Sequence, residues 1–146
     1  IWCIVAKNID TDYVMKFDCT QPHSKSIEFG IQILQDADEL ICHNEIDYDL
    51  RLIKKLYPAF DTQAKIIDTM IISQLLRPDR YGGHSLDAWG NHFGRKKPEH
   101  EDWTQFSTEM LHRCTEDVQI NHLTYKALQE EMYEPIEGIP YKEIFR

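Results

Sequence analysis

The sequence lacks most of the signatures by which a small α/β protein announces its chemistry. No GxxxxGK[ST], GxGxxG or GxSxG occurs in its 146 residues, which argues against a phosphate loop, a dinucleotide fold or a hydrolase nucleophile elbow. The seven histidines form no HxH or HxxxH pair, and the four cysteines no CxxC, so a zinc site of the usual spacing is not expected. Cys3 and Cys42 fall in apolar, strand-like runs and read as buried free thiols of a reducing compartment. No apolar run reaches membrane-spanning length, and "IWCIVAKNID" has no basic region leading into a long apolar one. The expectation is a soluble intracellular protein with no membrane partner. Basic residues are also scarce: 16 Lys and Arg stand against 25 Asp and Glu, a net charge of −9. That balance opposes nucleic-acid binding unless carboxylates hold divalent cations, which then supply positive charge where a phosphate would sit. "GRKK" at 94–97 is the one local basic cluster, readable as a phosphate-tracking patch or as a solvated loop.

What is present is an alternation of elements. "IWCIVAKNI" and "YVMKFDC" flank "TD", a hairpin pattern. Ser26 caps a helix whose Ile27, Ile31 and Leu34 recur at helical spacing. "ELICHN" and "KIIDT" are short buried strands, each leading into a helix, "YDLRLIKKLY" and "MIISQLLR", that stops at a proline. Ser85 caps "LDAWGNHFG", which Gly94 ends, and a long helix runs from Thr104 to about 133. A hairpin followed by alternating helices and strands argues an α/β domain with a mixed sheet, over residues 1–133. Residues 134–146, "EPIEGIPYKEIFR", read as a linker or the start of a following region.

Three carboxylates are placed where side chains converge. Asn44 ends a strand and Asp49 opens the next helix, beyond the carboxyl end of the sheet where α/β proteins bind ligands. The bland alternative for Asp49 is a helix N-terminal charge. Asp117 sits mid-helix, where aspartate is locally unfavourable, with His112 about 140° away around the helix. A solvated face is the alternative for both. Asp68 follows a strand and precedes a helix, and reads as an N-cap.

In order and spacing, "ICHNEIDYDLRLI", "IIDTMIISQLL", "HSLDAWGNHFG" and "MLHRCTEDVQINHLTYKALQ" resemble the 3′–5′ exonuclease domain of phage family A DNA polymerases. That domain belongs to the DEDD (DnaQ-like, ribonuclease H-like) exonuclease superfamily. The resemblance covers residues 1–133. It implies a ribonuclease H-like fold and a metal-dependent 3′–5′ exonuclease that proofreads on single-stranded DNA 3′ ends. It also implies an attached polymerase, a monomer, and the cytoplasm of a bacterium or phage-infected host. Two Mg²⁺ or Mn²⁺ ions, held by four carboxylates, activate the attacking water and stabilise the leaving oxygen. By motif, Asp49 and Asp117 are the third and fourth carboxylates, Asn44 lines the cleft, and His84 approaches DNA. The first motif, D-x-E, has no match in 1–20 and is expected on a strand upstream of Ile1. The phage pattern has Tyr four residues before the last Asp, where this chain has Arg113. His112, five before, is similar to the general-base histidine of the other DEDD subclass, and Arg113 is left to hold a phosphate. Two other readings stand beside this one: a catalytically silent nuclease-like domain binding nucleic acid or a protein, and an α/β interaction module.

Overall fold

The structure, a computed structural model, describes residues 1–44, 48–96 and 98–133, and the backbone of 135–136 and 139–140. The chain is mixed α/β. Strands β1 (Cys3–Lys7) and β2 (Val14–Asp18) pair antiparallel, Cys3 opposite Asp18 and Lys7 opposite Val14. Their turn is an Asx turn: Asn8 Oδ1 accepts from the backbone N–H of Asp10 and Thr11, and Asp12 takes the left-handed φ of 61°. Helix α1 (Ile27–Asp36) starts on Ser26, whose Oγ accepts from Phe29 N at 3.2 Å. It lies so close to β2 that a Cβ on Gly30 would stand 2.8 Å from the Phe17 ring.

Next, β3 (Glu39–Cys42), α2 (Asp49–Leu56) and β4 (Lys65–Asp68) form a βαβ unit with β3 and β4 parallel. Asp68 caps α3 (Thr69–Leu76), as its sequence position predicts. Ser85 Oγ caps α4 (Leu86–His92), and Gly94 follows that helix with a φ of 69°. The long helix α5 (Thr108–Glu131) begins at the Ser107 cap, four residues later than the sequence pattern places it, because Ser107 Oγ takes the Met110 N–H. Beyond it, β5 (Pro135–Ile136) and β6 (Ile139–Pro140) pair antiparallel. The linker expected over 134–146 otherwise lies outside the described residues.

The core has two parts. Ile27, Ile31, Ile53 and Phe60 pack between α1 and α2, and Trp89, Ile120 and Leu128 between α4 and α5. Helix α5 is the common support. Its Gln119 accepts from Lys7 Nζ of β1 at 2.9 Å, and its Asn121 Nδ2 donates to the Ile41 carbonyl of β3 at 3.4 Å.

One expectation changes here. In place of a single mixed sheet, the hairpin and the parallel pair are separate two-stranded ladders. The physical reason is tertiary: each ladder is held to α5 separately, the hairpin through Lys7 and Gln119 and the parallel pair through Ile41 and Asn121. Among the described residues no strand pairs with the second edge of β1 or of β3.

Candidate active site

The carboxyl end of β3 is organised by one buried hydroxyl. Thr69 is fully buried, and its Oγ1 lies 2.7 Å from Asn121 Oδ1, 2.8 Å from His43 Nδ1 and 3.0 Å from the Cys42 carbonyl. A hydroxyl has one proton to give. With that proton on the nearer Asn121 oxygen, His43 Nδ1–H donates to Thr69, and three elements (β3, α3 and α5) are locked at one point. Asp68 fixes the same corner, because its Oδ1 accepts from Asn44 N at 3.0 Å as well as from Met70 N and Ile71 N. Asn44 turns the chain off β3 with a φ of 63°, the left-handed region that asparagine tolerates better than most residues. Asn44 is therefore held through its backbone at the mouth of the site.

Two carboxylates that lie 68 positions apart in sequence come within electrostatic reach of each other in the fold. Asp49 stands in the first turn of α2 and Asp117 in the middle of α5. Asp49 is exposed as a residue, yet partial burial of its carboxyl, and then repulsion from Asp117, raise its pKa above the ordinary aspartate value. Asp117 is half-buried with Oδ1 enclosed. Two hard oxygen donors that repel each other are a fitting half-set for Mg²⁺ or Mn²⁺, and bound cation would relieve that repulsion. Among the described residues no group of three or more His, Cys, Asp or Glu side chains gathers to complete a metal site.

The remaining sequence-predicted residues divide. Arg113 lies one turn before Asp117, about 40° around α5 from it. Its Nη1 donates to the Pro98 carbonyl at 3.3 Å, and its guanidinium stands 5.6 Å from the Trp103 ring centre, so it ties Pro98 and Trp103 to α5. His112 is exposed, and the same geometry turns it about 140° away from Asp117. It is not gathered with the two carboxylates. His84 is also apart: its Nδ1 lies 2.8 Å from Ser73 Oγ and its Nε2 3.3 Å from the Pro78 carbonyl, which pins the α3–α4 connection. Within the basic cluster, Arg95 is taken up by Glu116 of α5 at 2.9 Å, and Lys97 lies outside the described residues.

Sequence reasoning missed the Thr69–Asn121–His43 lock and a thiol pair. Cys3 Sγ of β1 and Cys114 Sγ of α5 are 3.5 Å apart. Their mutual hydrogen bond and burial push the Cys3 thiol well above its ordinary value, while the same hydrogen bond draws Cys114 down. Cys3 and Cys42 are half-buried where full burial was expected, and all four cysteines are unbridged. Only the side-chain parity of β1 against a helix 111 positions away brings these sulfurs together, and no local spacing encodes it.

No helix among the described residues is long and apolar enough to cross a membrane. Searches against family models, curated proteins and solved structures return no match to this chain.

Proposed function

We propose that residues 1–133 are a ribonuclease H-like, metal-dependent 3′–5′ exonuclease domain acting on single-stranded DNA 3′ ends. The carrying observation is that Asp49, in the first turn of α2, feels the charge of Asp117 in the middle of α5, the two positions that the exonuclease motifs pick out. In this reading both are ligands of Mg²⁺ or Mn²⁺, which when bound supplies charge neutralisation at the phosphodiester and an activated water. Asn44 lines the cleft, Arg113 exchanges its Pro98 carbonyl for a substrate phosphate, and His84 meets DNA further along. His112 serves as general base only after the first turns of α5 rearrange, because on the continuous helix it stands about 140° around from Asp117. The other two carboxylates come from a D-x-E strand upstream of Ile1. Among the described residues no strand pairs with the second edge of β1 or of β3, and a strand lying between the two ladders would join them into one sheet, which supports that reading. The biological setting proposed is proofreading for a phage polymerase attached beyond 134–146, in a monomer, in the cytoplasm of a bacterium or phage-infected host.

The test is hydrolysis of 5′-labelled single-stranded DNA in Mg²⁺ or Mn²⁺ by protein that includes the upstream strand. Asp49→Ala and Asp117→Ala are expected to abolish nucleotide release. Undiminished activity in both variants sinks the assignment.

The two-carboxylate set favours one second reading, a catalytically silent nuclease-like domain that binds nucleic acid or a protein partner. An upstream coding sequence without D-x-E selects it.

A further inference from the structure

The thiol pair lies outside the chemistry proposed above. Cys3 and Cys114 belong to different elements, β1 and α5, and are separated by 111 positions, yet their sulfurs stand 3.5 Å apart. A disulfide needs about 2.05 Å, so the sulfurs must close by about 1.5 Å, within reach of a small χ1 rotation at each residue. Neither alternative partner competes on geometry. Cys19 follows Asp18, the cross-strand partner of Cys3, so strand parity turns it to the opposite face, where it is exposed. Cys42 sits on β3, in the other ladder, opposite Asp68.

We propose that Cys3 and Cys114 form a reversible oxidative modification site, which a hydroperoxide converts into an intramolecular disulfide. The Cys114 sulfur, having released its proton, attacks a peroxide oxygen. The O–O bond breaks, Cys114 becomes a sulfenic acid, and the departing oxygen takes up that proton. The Cys3 sulfur then attacks the Cys114 sulfur; the S–S bond forms, the S–O bond breaks, and water leaves with the proton from Cys3. Two thiols are oxidised by two electrons and one hydroperoxide is reduced to an alcohol, or to water where the oxidant is hydrogen peroxide. Cys114 is already the better nucleophile of the two, since Cys3, hydrogen-bonded to Cys114 and partly buried, keeps its proton. The bond would staple the hairpin to α5 three residues before Asp117. The proposal holds whether or not the carboxylates bind metal.

The experiment treats the 146-residue chain with stoichiometric hydrogen peroxide and follows intact mass, peptide mapping and melting temperature. A loss of about 2 Da, a Cys3–Cys114 cross-linked peptide and reversal by dithiothreitol are expected. Melting should rise by roughly 5–10 °C, given the long loop the bond closes. Cys19→Ser and Cys42→Ser should still form the link, and Cys114→Ser should not. Three results overturn the proposal: a link through Cys19 or Cys42, stable oxygen addition at Cys114 without a cross-link, or Cys3 remaining fully alkylatable after Cys19 is oxidised. Mapping on the wild-type chain decides between these results even where a cysteine variant folds poorly.

Discussion

Replacing Asp68 separates a structural carboxylate from a metal ligand. Its Oδ1 accepts from three backbone N–H groups, Asn44, Met70 and Ile71, at 3.0, 2.9 and 3.4 Å, and the residue is 8% exposed. Asp68→Ala removes the α3 cap, a loss of about 1 kcal/mol. It also leaves the partly buried Asn44 N–H without that acceptor, at a further cost of about 1–2 kcal/mol. The sum, about 2–3 kcal/mol, corresponds to a fall in melting temperature of roughly 4–12 °C for a chain of this size. Asp68→Asn keeps an acceptor oxygen and a good capping residue, so it should cost less than about 1 kcal/mol, chiefly the charge at the helix N-terminus. Urea denaturation of both variants, with m-values compared, makes the measurement. In the nuclease assay, Asp68→Asn should keep its activity while Asp117→Asn loses it. The reasoning fails if the asparagine variant is as unstable as the alanine variant, or if it abolishes hydrolysis in a folded protein.

Other consequences follow from the packing and charge around α5. His122 is buried near the hairpin turn, and burial, then Lys7 and Lys126, hold its pKa below the ordinary histidine value of about 6.5, with Asp12 pulling the other way. Its neutral form is favoured by folding, so its contribution is intact above about pH 6.5 and is lost as pH falls through the lower folded pKa. Relative to wild type, His122→Gln should therefore flatten the stability profile just below pH 6.5, and an unchanged slope would refute this. Glu131 accepts two hydrogen bonds of 2.7 Å from Arg80, whose guanidinium also stands 4.6 Å from the Trp89 ring centre. Glu131→Gln leaves that half-buried cation under-compensated and should cost about 1–3 kcal/mol by chemical denaturation. At Gly90 a Cβ would come within 2.6 Å of the Arg95 carbonyl oxygen, which is backbone and cannot swing away. The clash should outweigh alanine's helix preference, so Gly90→Ala lowers the melting temperature where an exposed helical Gly→Ala would raise it.

How much of this was legible beforehand depends on the range of the interaction. Caps are local chemistry, so Ser26, Asp68 and Ser85 could be read directly, and Gly94 ends α4 as its position implies. Periodicity located the strands and helices to within a few residues. It could not say that the hairpin and the βαβ unit are separate ladders, because pairing partners are chosen by tertiary contacts with α5. In the site, the placement of Asp49 and Asp117 drew notice to both, their role as metal ligands came only from motif resemblance, and the repulsion between them is a property of the folded chain. His112 illustrates the limit: five residues before Asp117 is a sequence distance, whereas on a continuous helix it becomes an angle that turns the imidazole away. The Thr69 lock draws on three elements between positions 42 and 121 and left no local trace.

The central claim is that Asp49 and Asp117 form one cation site. Titrating the chain with Mn²⁺ while following side-chain carboxyl ¹³C resonances tests it most directly. The account predicts that the Asp49 and Asp117 signals broaden together at the lowest Mn²⁺ concentrations, ahead of exposed carboxylates such as Glu109, and that Asp117→Asn weakens the effect at Asp49. Broadening of Asp49 that is unchanged by Asp117→Asn, or no preference for this pair over Glu109, would contradict it.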